Sequence, residues 1–368
     1  MPPRVSRPKR AVHNSRRLPV KVAILHPRKG VTGLWTPAVD AATLLAAAEV
    51  NRDGGVLGEE MELVFCDCGL QRDTALAAVD RVLDDIGVDA IVGQHTSNVR
   101  DVIRSRVNGR VPYVYTSQHE GLADPRKAIT IGATDGELLW PAIFWLIEQR
   151  HARRFFFVGN NYIWAQAGLE TSKALIAHEG AQFVGEALLP FEVEDHTDIL
   201  QKIRAARPDV GVQALVGEAS VRFNRAFAAA GFDEAMLRLG LLVDENVICG
   251  IGPDSTHNLY SVSNYFANWE SPANSRFLDS YHAAYGRIAP PVSGATIGCY
   301  EGIHLLAALA GQKRDPGGLR LAELARRPLH RDAARQYLDD KPVGRCKRVH
   351  IAQADGVALR IVSSLTLN

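Results

Sequence analysis

Two successive runs of alternating strand and helix signals constrain this chain more than any other feature. In the first run, residues 20–25 are an apolar strand pattern. Thr36 then stands as an N-cap ahead of Pro37, and an alanine-rich helix follows until Gly54 and Gly55 stop it. Residues 61–66 are a second strand. Asp73 caps a helix in which Leu76, Val79, Leu83 and Ile86 recur at helical spacing. Residues 89–92 are a third strand, Ser97 caps the next helix, and residues 111–115 are a fourth strand. Strand–helix alternation of this kind gives a parallel, doubly wound sheet, because a parallel pair needs a crossover helix. A second run begins at Phe155, with strands at 155–158, 182–189, 210–215 and 237–243 and helices between them. Two Rossmann-like α/β lobes are the expected fold.

Beyond Tyr265 the pattern turns helical, at 275–285, 297–310 and 319–326. It closes with a hairpin of 348–353 and 357–362 that turns at Asp355-Gly356. Late helices after two α/β lobes imply that the chain crosses back into the first lobe, forming a hinge. The organisation expected is a basic, disordered tail (1–19), a first lobe of 20–134 with 266–328, and a second of 135–265 with 329–368.

Composition narrows the function. The net charge of +1 does not suggest a nucleic-acid-binding surface. Five cysteines, with no CxxC pair and only Cys66 and Cys68 close together, suggest buried thiols in a reducing compartment rather than a disulfide framework. The basic residues from Arg4 to Arg17 lead into an apolar run broken at Lys21 and stopped by Pro27, too short for a secretory signal. No stretch is long and apolar enough to suggest membrane insertion, so a cytoplasmic protein is expected.

Motifs for covalent or phosphate chemistry are missing: there is no GxGxxG, Walker loop, HExxH or G-x-S-x-G. No cofactor and no metal are expected. Chemistry therefore has to be sought where open α/β sheets bind ligands, beyond the carboxyl ends of the strands. Those loops carry Gln94, His95, Thr96 and Ser97, then Tyr115, Ser117, Gln118 and His119. The second run adds Asn161, Tyr162 and Trp164, then Glu218, then Asp244 and Glu245. Hydroxyls, amides and aromatics dominate, without a nucleophile, base and orienting acid in register. That is a recognition surface, not a catalytic one.

The residues also resemble a family. Asn51-Arg52-Asp53-Gly54-Gly55-Val56-Leu57-Gly58 is similar to the turn after the first helix in branched-chain amino-acid, urea and short-chain amide binding proteins of the type I periplasmic-binding fold. Val92-Gly93-Gln94-His95-Thr96-Ser97, Tyr115 to Gly121, Gly159-Asn160-Asn161-Tyr162 and Asn264-Tyr265-Phe266 with Pro272, Asn274 and Phe277 follow in the family's order. The resemblance implies two lobes joined by three crossovers and a ligand held in the cleft between them. Its urea/amide branch includes a cytoplasmic sensor of amidase or nitrile-degradation operons that controls an RNA-binding antiterminator protein. The first expectation is such a regulator. The alternative is the substrate-binding component of a urea or short-chain amide ABC transporter. Either would bind a small amide, urea or nitrile-derived ligand and turn nothing over; a homo-oligomer is left open. Asn161, Trp164 and His95 depart from the branch's pattern and bear on the ligand's identity.

Ser97 and Ser117 are expected to meet a ligand carbonyl, and Asn161 or Glu218 to accept from its nitrogen. Tyr115, Tyr162 and Trp164 are expected to wall in its alkyl part, with His95, Thr96, Gln118, Asp244 and Tyr265 completing the candidate set. Each has a plainer alternative: Ser97 as a cap, Tyr115 as lobe core, Trp164 as hinge packing, Glu218 as a first-turn charge, Asp244 as a lobe-closing group.

Overall fold

The computed structural model describes residues 18–121, 128–311, 334–335 and 347–367. Expectations that fall elsewhere, among them the basic tail and a helix at 319–326, lie outside the described residues.

Two sheets organise the chain. The first is built from β1 (Val20–His26), β2 (Met61–Asp67), β3 (Ala90–Gly93), β4 (Tyr113–Tyr115) and β5 (Ile129–Thr130), in the order β2-β1-β3-β4-β5 and parallel throughout. Helices α1 (Thr36–Arg52), α2 (Arg72–Asp80) and α3 (Ser97–Val107) connect these strands. The second sheet runs β12-β11-β10-β9-β8-β6-β7. Its parallel part is β6 (Arg154–Asn160), β7 (Gln182–Leu189), β8 (Val210–Ala214), β9 (Leu237–Gly240) and β10 (Leu259–Ser263). The hairpin expected from Asp355-Gly356 forms β11 (Arg348–Asp355) and β12 (Ala358–Thr366), which add antiparallel strands to its edge. Helices α5 (Ile163–His178), α6 (Thr197–Ala206), α7 (Glu218–Ala229) and α8 (Glu245–Ile251) belong to this half.

Within the parallel part of each sheet the strand order is the same. The first strand of each run lies between the second and the third, so each sheet has a switch point: β1/β3 in the first, β6/β8 in the second. At a switch point the loops leave in opposite directions and open a crevice.

Three segments join the lobes. One leads from β5 to α4 (Asp135–Arg150), which packs on α5, β10 and β11. A second leads from β10 to α9 (Pro272–Tyr285), which packs on α1 beside α10 (Gly294–Gly311). The third returns from α10, seated on α1, β3 and β4, to β11.

The structure shifts several expected boundaries. Thr36 is the first helical residue of α1 rather than its cap, because a 3₁₀ turn, Gly30–Trp35, runs directly into the helix. Asp73 lies inside α2, and Thr96 rather than Ser97 is the N-cap of α3. The segment Gly30–Arg52 is long and apolar enough by composition to cross a membrane, contrary to the sequence reading. Its apolar residues are core: Ala38, Val39, Ala42 and Ala46 are fully buried, and α1 packs along α10.

Candidate functional site

The two switch points face each other across a cleft of about 890 Å³ that includes the part open to solvent. Its walls come from the loops after β1, β3 and β4, from the start of α5, and from the ends of β8, β9 and β10. The size suits a small ligand.

Nine of the twelve expected residues line it: His95, Thr96, Ser97, Tyr115, Ser117, Gln118, Tyr162, Trp164 and Asp244. Three do not. Asn161 is exposed and accepts a hydrogen bond from Gln166 Nε2 at 3.0 Å, because the chain turns it outward just before α5. Glu218 begins α7, where its carboxylate pairs with Arg222 at 2.8 Å one helical turn on. Tyr265 is buried against Phe277 and Tyr281 in the layer over α1, and its hydroxyl donates to Asn274 Oδ1 at 2.7 Å.

Several lining residues have their polar atoms engaged by the protein. The His95 ring sits under the β3–α3 loop, with Nδ1 3.3 Å from the Thr96 carbonyl and Nε2 2.9 Å from the Tyr113 hydroxyl. A carbonyl only accepts, so Nδ1 carries the proton and Nε2 accepts from Tyr113. Burial pulls its pKa down to about 3, so the ring is neutral. Tyr115 donates to the His95 carbonyl at 2.9 Å. Ser97 donates to Glu120 Oε2 at 2.7 Å, and Arg100 holds the other carboxylate oxygen at 2.7 Å. Ser117 Oγ accepts from the His95 amide at 3.1 Å. These bonds fix the β3 and β4 loops to each other rather than leaving their hydroxyls open.

Asp135, at the start of α4, ties the two walls together. Its Oδ1 accepts from Gln118 Nε2 at 2.9 Å in the first lobe and from Trp164 Nε1 at 2.7 Å in the second. Burial pushes its pKa up to about 7, against those two hydrogen bonds. Sequence reasoning missed this residue, although the capping box of Thr134 and Glu137 marks its helix start.

A second link crosses the cleft mouth. Trp35, from the 3₁₀ turn after β1, donates Nε1 to Asp244 Oδ2 at 2.7 Å. Asp244 Oδ1 meanwhile caps α8 through the amides of Asn246 and Val247. Burial raises the pKa of this carboxyl, while these hydrogen bonds favour its ionised form. Beside it, Gly217 at the start of α7 lies against Val31 of the same 3₁₀ turn, so that a Cβ there would stand 1.9 Å from the Val31 carbonyl oxygen.

Three lining atoms are open to a ligand. His26 Nε2, Thr96 Oγ1 and Asn264 Nδ2 are buried, sit on lining residues, and have no hydrogen-bond partner among the described residues. His26 and Asn264 were not expected from the sequence, since His26 ends a strand and Asn264 follows β10, a strand the sequence reading passed over. Among the described residues no group of histidines, cysteines and carboxylates could hold a metal ion.

Two lobes that meet at facing switch points, with unpaired polar atoms between them, define a two-lobed ligand-binding protein. Residues 19–329 match the family described as "Periplasmic binding protein", and the chain belongs to that family. Solved structures share the fold at low identity. The branched-chain amino acid transporter substrate-binding protein LivJ of Streptococcus pneumoniae, in complex with isoleucine, is 17% identical with a TM-score of 0.81, covering 95% of this chain and 99% of that one. A solute-binding protein of an ABC transporter from Rhodopseudomonas palustris HaA2, in complex with p-hydroxybenzoic acid, is 16% identical with a TM-score of 0.79, covering 94% and 97%. A leucine-binding protein, LivK, of Thermotoga maritima is 17% identical with a TM-score of 0.81, covering 94% and 99%.

Proposed function

We propose that this chain is the substrate-binding component of an ABC-type importer and that its cleft closes on a small, uncharged polar solute. One observation carries the ligand class. The charged groups described on the cleft wall are paired within the protein: Asp244 with Trp35 and the α8 amides, Arg335 with Glu301 at 2.9 Å. Atoms without a protein partner on the wall include those of an imidazole, a hydroxyl and an amide. A charged ligand would lose its hydration without gaining an opposite unpaired charge. An uncharged ligand with both donors and acceptors suits these atoms, and urea and the short-chain amides have that form.

The transport roles of the solved relatives favour an importer over the antiterminator-controlling regulator first expected from the sequence. They and the family's name also support a periplasmic place of work over a cytoplasmic one. The family's ligand-binding relatives support a ligand that leaves unchanged.

Isothermal titration of the folded protein with acetamide, propionamide, butyramide and urea, beside leucine and benzoate, tests this reading. Saturable heat with an uncharged member, and recovery of that ligand intact, is the expected result. Saturation only by leucine or benzoate would replace the ligand class. Silence across the panel would remove the small-solute reading.

A further inference from the structure

His26 closes β1 at the first lobe's switch point, and its side chain is 1% exposed on the cleft wall. Its Nδ1 lies 2.7 Å from the carbonyl oxygen of Gln94. The carbonyl has no proton to give, so the ring proton is on Nδ1, and a neutral ring leaves Nε2 as a bare lone pair. The ring is neutral at physiological pH because burial pulls its pKa to about 4, assisted by Arg28 and resisted by the Gln94 bond and by Asp40 and Asp67. Nε2 has no partner among the described residues. The wall therefore presents an atom that accepts a hydrogen bond and cannot donate one.

Thr96 lines the same cleft. β1 and β3 are paired neighbours, Leu25 opposite Gly93, and Thr96 follows three residues after the end of β3. Thr96 is the N-cap of α3, yet its hydroxyl caps no amide and is buried without a partner. A hydroxyl can donate. An acceptor-only atom and a hydroxyl lining one cleft match in kind a group holding N–H and C=O on one carbon. Asn264 Nδ2, from the segment after β10, supplies a further donor from the second lobe's side.

We propose that His26 sets the ligand class: it accepts the N–H of a carboxamide or urea whose carbonyl oxygen takes the Thr96 hydroxyl, and so rejects the carboxylate of the same skeleton. This rests on the reading of the cleft as the solute site. A carboxylate differs from its amide by one group, an O⁻ in place of NH₂, and would set a negative oxygen against the Nε2 lone pair. The resulting preference is about tenfold or more, the effect of leaving a buried polar atom unpaired or opposed.

The test titrates the full chain with two matched pairs, isobutyramide against isobutyrate and benzamide against benzoate. His26→Asn is the variant, because its amide reproduces the donation to Gln94 and places nothing at Nε2. The wild type should prefer the amide of a pair at least tenfold, and His26→Asn should bring the pair to within about threefold. In parallel, the ¹⁵N spectrum of histidine-labelled wild type should show the His26 Nε2 resonance move on adding the amide while Nδ1–H stays protonated. This readout does not depend on the variant folding. Equal or tighter binding of the carboxylate, an amide preference that survives His26→Asn, or an Nε2 resonance that ignores the bound amide would each overturn the assignment while leaving the solute site standing. Failure of the wild type to bind either member of both pairs would overturn the assignment, and silence across the wider panel would take the solute-site reading with it.

Discussion

Replacing Gly217 by alanine should hold the lobes apart. In the structure the loop before α7 lies against the 3₁₀ turn of the opposite lobe, and the added Cβ would be 1.9 Å from the Val31 carbonyl oxygen and 3.1 Å from Leu34 Cδ2. A carbon and a carbonyl oxygen in contact stand roughly 3.3 Å apart, so the two backbones must separate by about 1.4 Å. Both sides of the clash are backbone, which no rotamer change relieves, and opening the cleft is the least costly escape. Overpacking of this kind costs about 1–3 kcal/mol. Charged to the closed state alone, it weakens ligand binding by about 5- to 150-fold. The left-handed backbone at Gly217, φ +50°, adds a second penalty, but one present whether the cleft is open or closed. It lowers melting temperature without touching affinity. Gly231 separates the two effects. Its φ is +72° and a Cβ there meets nothing, so Gly231→Ala should lower the melting temperature and leave Kd unchanged. Titration of both variants with the tightest-binding amide of the panel, with calorimetric melting of the unliganded proteins, reads the difference. An unchanged Kd in folded Gly217→Ala would show that the ligand-bound form does not bring α7 onto Val31, and the closure described above would be wrong.

Three further outcomes follow from the same geometry. Trp35→Phe removes the indole donor to Asp244 while keeping an aromatic ring, and should weaken binding about tenfold, since hydrogen bonds to charged groups contribute about 1.5–3 kcal/mol; an unaltered Kd by titration would remove this link from the closed state. Glu245, whose pKa burial raises to about 8, binds a proton in the folded state that the unfolded chain has released. Its stabilising effect is full below the ordinary carboxyl range and is lost as pH rises to about 8, so melting temperature should fall from pH 5 to pH 8, and Glu245→Gln should flatten that fall. Asn161→Ala and Glu218→Ala should leave Kd within about twofold, because neither residue lines the cleft and surface substitutions change little; a larger loss in either would return it to the site.

The lobes were legible because hydrophobic period is a local property. β1, β2 and β7 alternate or run apolar over their own few residues, and α2 and α3 show their buried positions at helical spacing. The elements that escaped notice lack that contrast. α4 exposes Trp140 and Phe144 while it buries Leu138, Leu139, Ile143 and Leu146, so no polar face sets off its buried one, and a proline inside the helix hides it further. β10 is a five-residue strand buried over most of its length, too short for periodicity to separate it from its surroundings.

The candidate site divides in the same way. That ligand-facing residues follow the strands' carboxyl ends follows from sequence order and sheet handedness alone, and nine of twelve expected residues line the cleft accordingly. Which of their atoms face a ligand was decided by tertiary structure. The hydroxyl of Ser97 goes to Glu120, the ring of His95 to Tyr113, and the carboxylate of Asp244 to Trp35, all partners brought in from other strands or from the other lobe. A buried polar atom bonds to whatever the fold places within about 3 Å, and the chain's local pattern holds no record of that neighbour. So the sequence by itself determined two parallel α/β lobes and the rims of the cleft. Only the packing of one lobe on the other left His26, Thr96 and Asn264 with a hydrogen bond still to make.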